Sequence, residues 1–426
     1  MNTFDKIIGY EAIKTELQQV CDMIHNREYY TNLGARLPQG ILLYGDPGLG
    51  KTLMAKCFIE ECWIITYTVR RNTSDKDFIG EITETFRLAK LNAPAVILLD
   101  DMDKFANEDD DHCDAEEYVA VQAGIDDVKG CDVFILATVN APRKLPRSLT
   151  RSGRFDRKIC VNRPNADDAR QIIAYYLSDK SISSDVNMDD LCKMISYDSC
   201  AELETILNEA AVDAAFARKE QIDMKDLVNA VLRMEYDAPD DCVRKSDDDV
   251  RRIALHEAGH VILSEVLCPG SIGLTSLRTT GRDSVGGFVH RCKELERRPH
   301  VIMVSLAGKA AVELFFADHC ASGCQSDLER AYNLIRDGIS KNATCGIGML
   351  DVESKNSPEM SDLMNYASEA VVHTELERYL YMTRDVLLKN RDFLERVTAA
   401  LVEKETLLAS DIQSIRDGIT ITEFVA

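Results

Sequence analysis

Two histidines one helical turn apart are the first residues whose spacing suggests chemistry. The segment Leu255–His260 contains the pattern H-E-x-x-H inside a helical stretch. Positions i and i+4 share one face of a helix, so His256 and His260 can reach the same metal ion. Glu257 lies on the same helix, where it can take a proton from an attacking water. The pattern predicts a zinc-type hydrolytic site, and the alternative is a helix with two incidental histidines.

The third protein ligand of such a site is not evident from the pattern. Catalytic zinc takes three protein ligands and leaves one position for water. The sequence contains neither the extended H-E-x-x-H-x-x-G-x-x-H pattern nor a third histidine near the pair. The residue types also leave the metal open, because similar ligands accept other divalent ions.

A glycine-rich segment near the N-terminus predicts a phosphate-binding loop. It fits G-x-x-x-x-G-K-[ST] and lies between an apolar strand and a helical stretch, as that motif requires. Its residues are Gly45, Asp46, Pro47, Gly48, Leu49, Gly50, Lys51 and Thr52. Glycines let backbone N–H groups surround the phosphates of ATP, Lys51 would neutralise them, and the Thr52 hydroxyl would bind Mg²⁺. The alternative is an ordinary glycine-rich turn before a helix.

A second segment supplies acids at the end of a strand. The run Val96–Leu99 is apolar and is followed directly by Asp100 and Asp101. At the carboxyl edge of a parallel sheet, Asp100 would hold Mg²⁺ and Asp101 would orient and activate the attacking water. A buried strand followed by solvated acids is common, so this prediction depends on the phosphate loop upstream.

The sequence predicts that these residues lie in one α/β domain and in mainly helical domains that follow it. Apolar strands alternating with helical patterns fill residues 1–165 and predict an α/β domain with a parallel sheet and helices on both faces. Residues 166–236 read as a small helical domain. Residues 237–249 are rich in Asp and predict an exposed acidic linker. Residues 250–426 read as mainly helical, with a small sheet around Ser271–His290.

Composition restricts the class of partner and the compartment. Lys and Arg number 50 against 72 Asp and Glu, a net charge of −22, which opposes nucleic-acid binding. The 14 cysteines include no Cys-x-x-Cys pair, and a reducing cytoplasm is the expected location. The apolar runs are shorter than the roughly 18–20 residues needed to span a bilayer, so we expect no membrane span in this chain.

The first half of the chain resembles the AAA+ ATPases. Asn140 follows a buried strand, where that family keeps a polar residue that senses the γ-phosphate. The segment Arg151–Asp156 resembles the family's R-P-G-R-F-D, which implies that Arg151 and Arg154 are arginine fingers acting in a homohexameric ring. The tripeptide Phe78, Ile79 and Gly80 resembles a pore loop that grips substrate, although Phe78 could equally be a core residue. The family usually has Glu at the position of Asp101, so Asp101→Glu is expected to raise ATPase activity.

Nearly the whole chain, from Phe4 to Thr406, resembles the FtsH family of AAA+ zinc proteases. The segment Ser322–Leu328 resembles the family's S-T-G-A-x-N-D-L, whose Asp is the third zinc ligand, and this implies that role for Asp327. The family's N-terminal transmembrane region is missing, so the chain is either a natural membrane-free member or a shortened piece.

Three functions follow from these observations. The leading hypothesis is an ATP-dependent zinc metalloendopeptidase that unfolds, translocates and degrades protein substrates, with Zn²⁺, ATP and Mg²⁺ as cofactors. The second is an unfoldase or remodelling ATPase with an inert peptidase half, which the intact metal-site residues disfavour. The third is a nucleic-acid motor, which the acidic charge opposes.

Overall fold

The computed structural model describes residues 3–71, 78–106, 115–151, 153–195, 198–238, 246–279, 286–316, 324–345 and 362–424. The chain divides into two compact units. The first comprises residues 1–180 and 197–208, and the second comprises residues 181–196 and 209–426.

The first unit is built on a parallel sheet of five strands in the order β2-β3-β4-β1-β5. The strands are β1 (Gly40–Tyr44), β2 (Ile65–Val69), β3 (Ala95–Leu99), β4 (Val133–Val139) and β5 (Arg157–Cys160). Every residue of β3 and β4 is buried, as expected for central strands covered on both faces. The predicted α/β fold class is confirmed.

The strand order fixes where the loops meet. β4 lies between β3 and β1, and all three strands run in the same direction. Their carboxyl ends therefore share one edge of the sheet, which is where ligands bind in open α/β sheets. This edge brings together the loop after β1, the acids after β3 and the polar residues that end β4.

Helices surround this sheet and complete the first unit. They are α1 (Glu11–His25), α2 (Arg27–Asn32), α3 (Lys51–Cys62), α4 (Phe78–Leu91), α5 (Ala115–Asp127) and α6 (Ala166–Leu177), with short 3₁₀ helices at Thr3–Lys6, Met102–Lys104 and Pro142–Lys144. The Asn165 side chain caps α6 by accepting hydrogen bonds from the N–H groups of Asp167 and Asp168.

The second unit is mainly helical, as predicted. Its helices are α7 (Met188–Met194), α9 (Met224–Tyr236), α10 (Asp247–Leu267), α11 (Arg298–Phe315), α12 (Gln325–Asn342), α13 (Asp362–Lys389), α14 (Arg391–Lys404) and α15 (Ala409–Asp417), while α8 (Cys200–Phe216) includes residues of both units. Apolar side chains from α10, α11, α13 and α14 form its buried core.

The start of α10 refines the predicted acidic linker. Residues 239–245 of that segment lie outside the described residues. Asp247, Asp248 and Asp249 form the first turn of α10, and the Ser246 hydroxyl caps the helix by accepting from the Asp249 N–H. Acidic side chains at a helix N-terminus stabilise it through the helix dipole, which explains why these residues are helical rather than extended.

A small antiparallel sheet lies beside the helices of the second unit. Its order is β7-β6-β8, with β6 (Ile272–Ser276), β7 (Phe288–Arg291) and β8 (Thr406–Leu408). The first two strands lie in the predicted segment, whereas β8 comes from more than a hundred residues further along the chain and was not predicted. β7 lies at one edge of this sheet and packs against α10.

None of the helices in the described ranges has both the length and the apolar character needed to cross a lipid bilayer.

Candidate active sites

The histidine pair and Asp327 converge on one point in the second unit. Nε2 of His256 lies 3.1 Å from Nε2 of His260. Oδ2 of Asp327 lies 3.3 Å from the first of these nitrogens and 3.2 Å from the second. Three potential ligand atoms therefore form a nearly equilateral triangle, although Asp327 is roughly 70 residues from the pair in sequence.

The triangle fits a tetrahedral zinc ion. Zinc binds nitrogen and carboxylate oxygen at about 2.0–2.2 Å, and in a tetrahedron this places neighbouring ligand atoms about 3.3–3.6 Å apart. The observed separations of 3.1–3.3 Å are close to the lower end of that range. Three ligands leave the fourth corner for water, as in catalytic rather than structural zinc sites. The set of two imidazoles and one carboxylate is also a common zinc donor set.

A backbone carbonyl on α11 orients His260. Nδ1 of His260 lies 2.7 Å from the carbonyl oxygen of Val304. A carbonyl only accepts hydrogen bonds, so Nδ1 carries the proton and the Nε2 lone pair remains available for a metal. Such a second partner fixes both the tautomer and the ring orientation of a metal-binding histidine.

Close packing of α11 on α10 positions His256. A Cβ atom placed on Gly308 would lie 2.3–2.5 Å from three atoms of the His256 ring, so only glycine leaves room for this rotamer. A Cβ atom on Gly259 would lie 2.5 Å from the carbonyl oxygen of Ala307, so the two helix backbones approach closely here. The imidazole is therefore held by the shape of the helix interface.

Asp327 lies in the first turn of α12 and is ionised. Burial alone would raise the pKa of its carboxyl group. The two imidazoles of His256 and His260 lie against this carboxylate, and their combined influence outweighs burial and holds that pKa well below its usual range. The charged carboxylate is the form that a metal requires.

Glu257 lies next to the histidines but turns towards β7. Its side chain is 5% exposed, and a Cβ atom on Gly287 would lie 2.8 Å from its Cγ. The four residues His256, Glu257, His260 and Asp327 line a single cavity of about 350 Å³. Glu257 is therefore in position to serve a reacting group held in that cavity.

The glycine-rich loop joins β1 to α3 as the motif requires. Gly48 and Gly50 have φ of 80° and 84°, a region that favours glycine. Nζ of Lys51 donates to the carbonyl oxygens of Gly45 and Asp46 at 2.8 and 2.6 Å. Burial lowers the pKa of Lys51, and the neighbouring acids Asp101, Asp103 and Asp46 oppose that shift. The loop fits a nucleotide phosphate group at the N-terminus of α3.

The acids after β3 meet this loop at the sheet edge. Oδ1 of Asp100 accepts hydrogen bonds from the hydroxyls of Thr52, at 3.1 Å, and Thr138, at 2.7 Å. A hydroxyl next to a carboxylate is the oxygen-rich arrangement that suits Mg²⁺. Asp101 has φ of 53° and accepts from Nδ2 of Asn140 at 3.2 Å, so the predicted sensor and the predicted base are in contact.

The two predicted arginine fingers have different surroundings. Arg151 is exposed. Arg154 is 2% exposed and donates to both carboxylate oxygens of Asp126, at 3.0 and 2.5 Å, and to the carbonyl oxygen of Ser148. A buried guanidinium with these partners would have to break them to reach another chain. The structure therefore favours a positioning role for Arg154 and leaves Arg151 as the candidate finger.

The predicted pore loop differs from the structure at Phe78. This ring is 6% exposed and packs edge-on against Phe105, with 5.3 Å between ring centroids. Phe78 begins α4 and belongs to the core of the first unit, which is the alternative noted from the sequence. Ile79 is half-buried and Gly80 is exposed. A role in gripping substrate would require the Phe78 ring to leave the core, so we do not assign one.

Three residues at the candidate nucleotide site were not found from the sequence. Thr138 bridges the two acids, because its hydroxyl donates to Asp100 and accepts from the Asp101 N–H at 2.8 Å. Asp103 accepts from the N–H groups of Asn140 and Ala141, both at 3.1 Å. Lys104 donates to Asp101 at 2.7 Å. The charged run after β3 was the available signal for Asp103 and for Lys104, which is three residues from Asp101. The role of Thr138 depends on the tertiary contact between β3 and β4.

Comparison with protein families gives two matches. Residues 41–163 match the ATPase family associated with various cellular activities (AAA), and residues 243–415 match peptidase family M41. Each match includes one of the two sites described above. The chain thus joins an AAA ATPase module to an M41 metallopeptidase module.

Three similar proteins span nearly the whole chain. ATP-dependent zinc metalloprotease FtsH 3 of Symbiobacterium thermophilum is 29% identical over 98% of this chain and 71% of the relative. ATP-dependent zinc metalloprotease FtsH of Streptobacillus moniliformis is 30% identical over 99% of this chain and 65% of the relative. ATP-dependent zinc metalloprotease FtsH of Thermus thermophilus is 28% identical over 98% of this chain and 71% of the relative. Over nearly its full length the chain is therefore similar to FtsH ATP-dependent zinc metalloproteases, and it has the AAA and M41 domains in the same polypeptide.

Proposed function

We propose that this chain uses ATP hydrolysis to unfold protein substrates, translocate them and cleave them at a zinc centre. The convergence of His256, His260 and Asp327 at zinc-like spacing, with Glu257 in the same cavity, carries this proposal. The paired AAA and M41 matches support it, because they join a motor to a peptidase in one chain.

The peptidase half supplies proton transfer and orientation. Zinc, when bound, polarises a peptide carbonyl and makes water a better nucleophile at neutral pH. His256, His260 and Asp327 would hold the ion, with His260 fixed by the Val304 carbonyl. Glu257 would take a proton from the attacking water and return it to the leaving amine. Its burial keeps the carboxylate close to the reacting atoms and away from bulk solvent.

The motor half would bind ATP with Mg²⁺ at the sheet edge. Gly45–Thr52 would surround the phosphates, with Lys51 neutralising their charge. Thr52 and Asp100 would hold Mg²⁺, while Asp101 and Asn140 would orient the attacking water. The contacts among Thr52, Asp100, Asp101 and Asn140 support this assignment.

The assembly and location follow from these roles. We propose a homohexamer in which Arg151 reaches the nucleotide of a neighbouring chain, because an arginine finger acting in trans requires a ring. Sizing of the purified chain in ATP tests this assembly. We also propose action in the cytoplasm, supported by the described cysteines, all of which are free thiols. The division into residues 1–165, 166–236, 237–249 and 250–426 remains the proposed domain plan.

The decisive experiment is ATP-dependent degradation of casein by the wild-type chain and by Glu257→Gln. We expect Glu257→Gln to retain zinc and ATPase activity but lose casein cleavage, because an amide cannot accept the proton. Glu329→Gln is the matched control, since Glu329 is exposed on α12, and it should cleave like wild type. Undiminished cleavage by Glu257→Gln would remove the proposed zinc mechanism.

The same assay separates the alternative of a remodelling ATPase. In that case the wild-type chain would unfold a tagged substrate with ATP and release it uncut. The intact metal triangle disfavours this alternative, since an inert peptidase half has no need to keep three ligands at zinc-like spacing.

A further inference from the structure

The cavity that contains the three potential metal ligands and Glu257 is also lined by other side chains. Its lining also includes Arg291 at the end of β7, Ser264 on α10 and Arg330 on α12. Ser264 lies one helical turn after His260, so His256, His260 and Ser264 follow one another along the same face of α10. A substrate held at the metal would therefore have neighbouring atoms close to these three additional side chains.

One guanidinium nitrogen of Arg291 has no hydrogen-bond partner among the described residues. This nitrogen, Nη1, is shielded from solvent. Burial lowers the pKa of Arg291, the like charge of Arg330 lowers it further, and the negative charge of Glu294 opposes that shift. A buried, charged donor without an acceptor is unfavourable, and a carboxylate is the group that best satisfies a guanidinium.

A second donor without a partner faces the same cavity. The Ser264 hydroxyl is fully buried and, within the described ranges, makes no hydrogen bond. Most buried polar groups in proteins are paired, so two such groups in one cavity call for a common explanation. A ligand in this cavity that offers two acceptor oxygens is the group that would satisfy both a guanidinium and a hydroxyl.

We propose that this cavity selects substrates that present a carboxylate next to the scissile bond, with Arg291 as the specificity-determining residue and Ser264 and Arg330 in support. The inference rests on the proposed peptidase function. The carboxylate can come from an Asp or Glu side chain or from the free C-terminus of a shortened peptide. Both offer two oxygens to the Arg291 fork, so the experiment must distinguish them.

The test uses short quenched fluorescent peptides that do not require unfolding. One set has blocked ends and carries Glu, Gln, Leu or Lys immediately after the cleaved bond. A second set has Leu at that position as the last residue, with either a free or an amidated C-terminus. Wild type should cleave the Glu peptide with a kcat/KM about tenfold or more above the Gln peptide, the range expected for a charge-assisted hydrogen bond. A free C-terminus favoured over its amide, without a preference for Glu, would assign the pocket to chain ends.

Variants identify the residue responsible. Arg291→Gln should lose the preference for a carboxylate while still cleaving the Leu peptide, and Arg291→Glu should favour the Lys peptide instead. Arg336→Gln removes a positive charge from an exposed position on α12 that does not line the cavity, and it should keep the wild-type preference. Equal cleavage of Glu and Gln peptides and of both C-terminal forms by wild type, or an unchanged preference in Arg291→Gln, overturns the inference.

A binding measurement separates this inference from the proposed function. In Glu257→Gln, fluorescence anisotropy of labelled peptides reports Kd without turnover. The Glu peptide should bind about tenfold tighter than the Gln peptide, and Arg291→Gln added to Glu257→Gln should remove the difference. If wild type cleaves no peptide but the binding preference is present, the peptidase mechanism fails and the carboxylate site stands. If wild type cleaves the peptides but neither cleavage nor binding depends on a carboxylate, the peptidase mechanism stands and the carboxylate site fails.

Discussion

The two candidate sites are assembled in different ways. The nucleotide site gathers residues from three neighbouring strand ends, so its geometry follows from the order β3-β4-β1. The metal site gathers ligands from α10 and α12 and an orienting carbonyl from α11, so its geometry follows from helix packing. The first site therefore depends on sheet topology, and the second depends on how closely three helices approach.

The largest expected effect comes from removing the distant ligand. Asp327→Asn replaces a charged oxygen ligand with a neutral amide, so zinc content should fall and peptide cleavage should drop at least about a hundredfold, more than for a typical residue outside the ligand set. ATPase activity should remain, because the nucleotide site shares none of these residues. Metal analysis and the two activity assays on one preparation measure this.

Asp337→Asn is the control for that variant. Asp337 is on the same helix and pairs with Lys341 at 3.1 Å near the surface. Its zinc content and peptide cleavage should match wild type. Full zinc occupancy in Asp327→Asn would show that the metal site does not depend on α12.

A smaller effect should come from disturbing the helix interface. Gly308→Ala places a methyl group against the His256 ring, so either the ring or α11 must move. We expect zinc affinity to fall about tenfold, the lower range seen when a metal ligand loses its orientation. Competition with a zinc chelator measures it, with Gly418→Ala as control because a Cβ there makes only ordinary contacts. Unchanged affinity would show that His256 does not depend on this packing.

The smallest expected effect concerns the strand-end acid. Asp101→Glu lengthens the side chain by one methylene, which should bring the carboxylate closer to the attacking water. ATPase turnover should rise several-fold, which corresponds to an activation free energy lower by about 1 kcal/mol. Steady-state phosphate release measures turnover, and Asp127→Glu, an exposed acid paired with Lys90, is the control. Unchanged or lower turnover would argue against Asp101 as the water-activating residue, and zinc content should not change in either variant.

The same contrast explains what could be predicted from the sequence. The phosphate loop and the H-E-x-x-H helix were evident because their residues are neighbours in the chain and their spacing encodes their geometry. Asp327 required a family resemblance, because no local pattern connects it to the histidines. Val304 and Gly308 were not found, because a backbone carbonyl and a missing Cβ acquire their roles only when α11 packs on α10.

Phe78 shows that a motif of three residues does not distinguish an exposed loop from the start of a helix. An aromatic residue, an aliphatic residue and a glycine can form an exposed loop, but the same residues can begin a helix. Here the aromatic ring packs on Phe105 in the core, and burial of a large apolar surface stabilises that arrangement. Arg154 is similar, because its pairing with Asp126 depends on the position of α5 and not on its neighbours in sequence.

The division of the metal ligands between α10 and α12 has a consequence for heat resistance. An ion held by both helices fastens two distant stretches of chain together, much as a covalent cross-link would, and it binds the folded form far better than the unfolded one. Chelation should therefore lower the melting temperature of the second unit and leave that of the first unchanged. Metal supply would then set how long the enzyme survives as well as how fast it works.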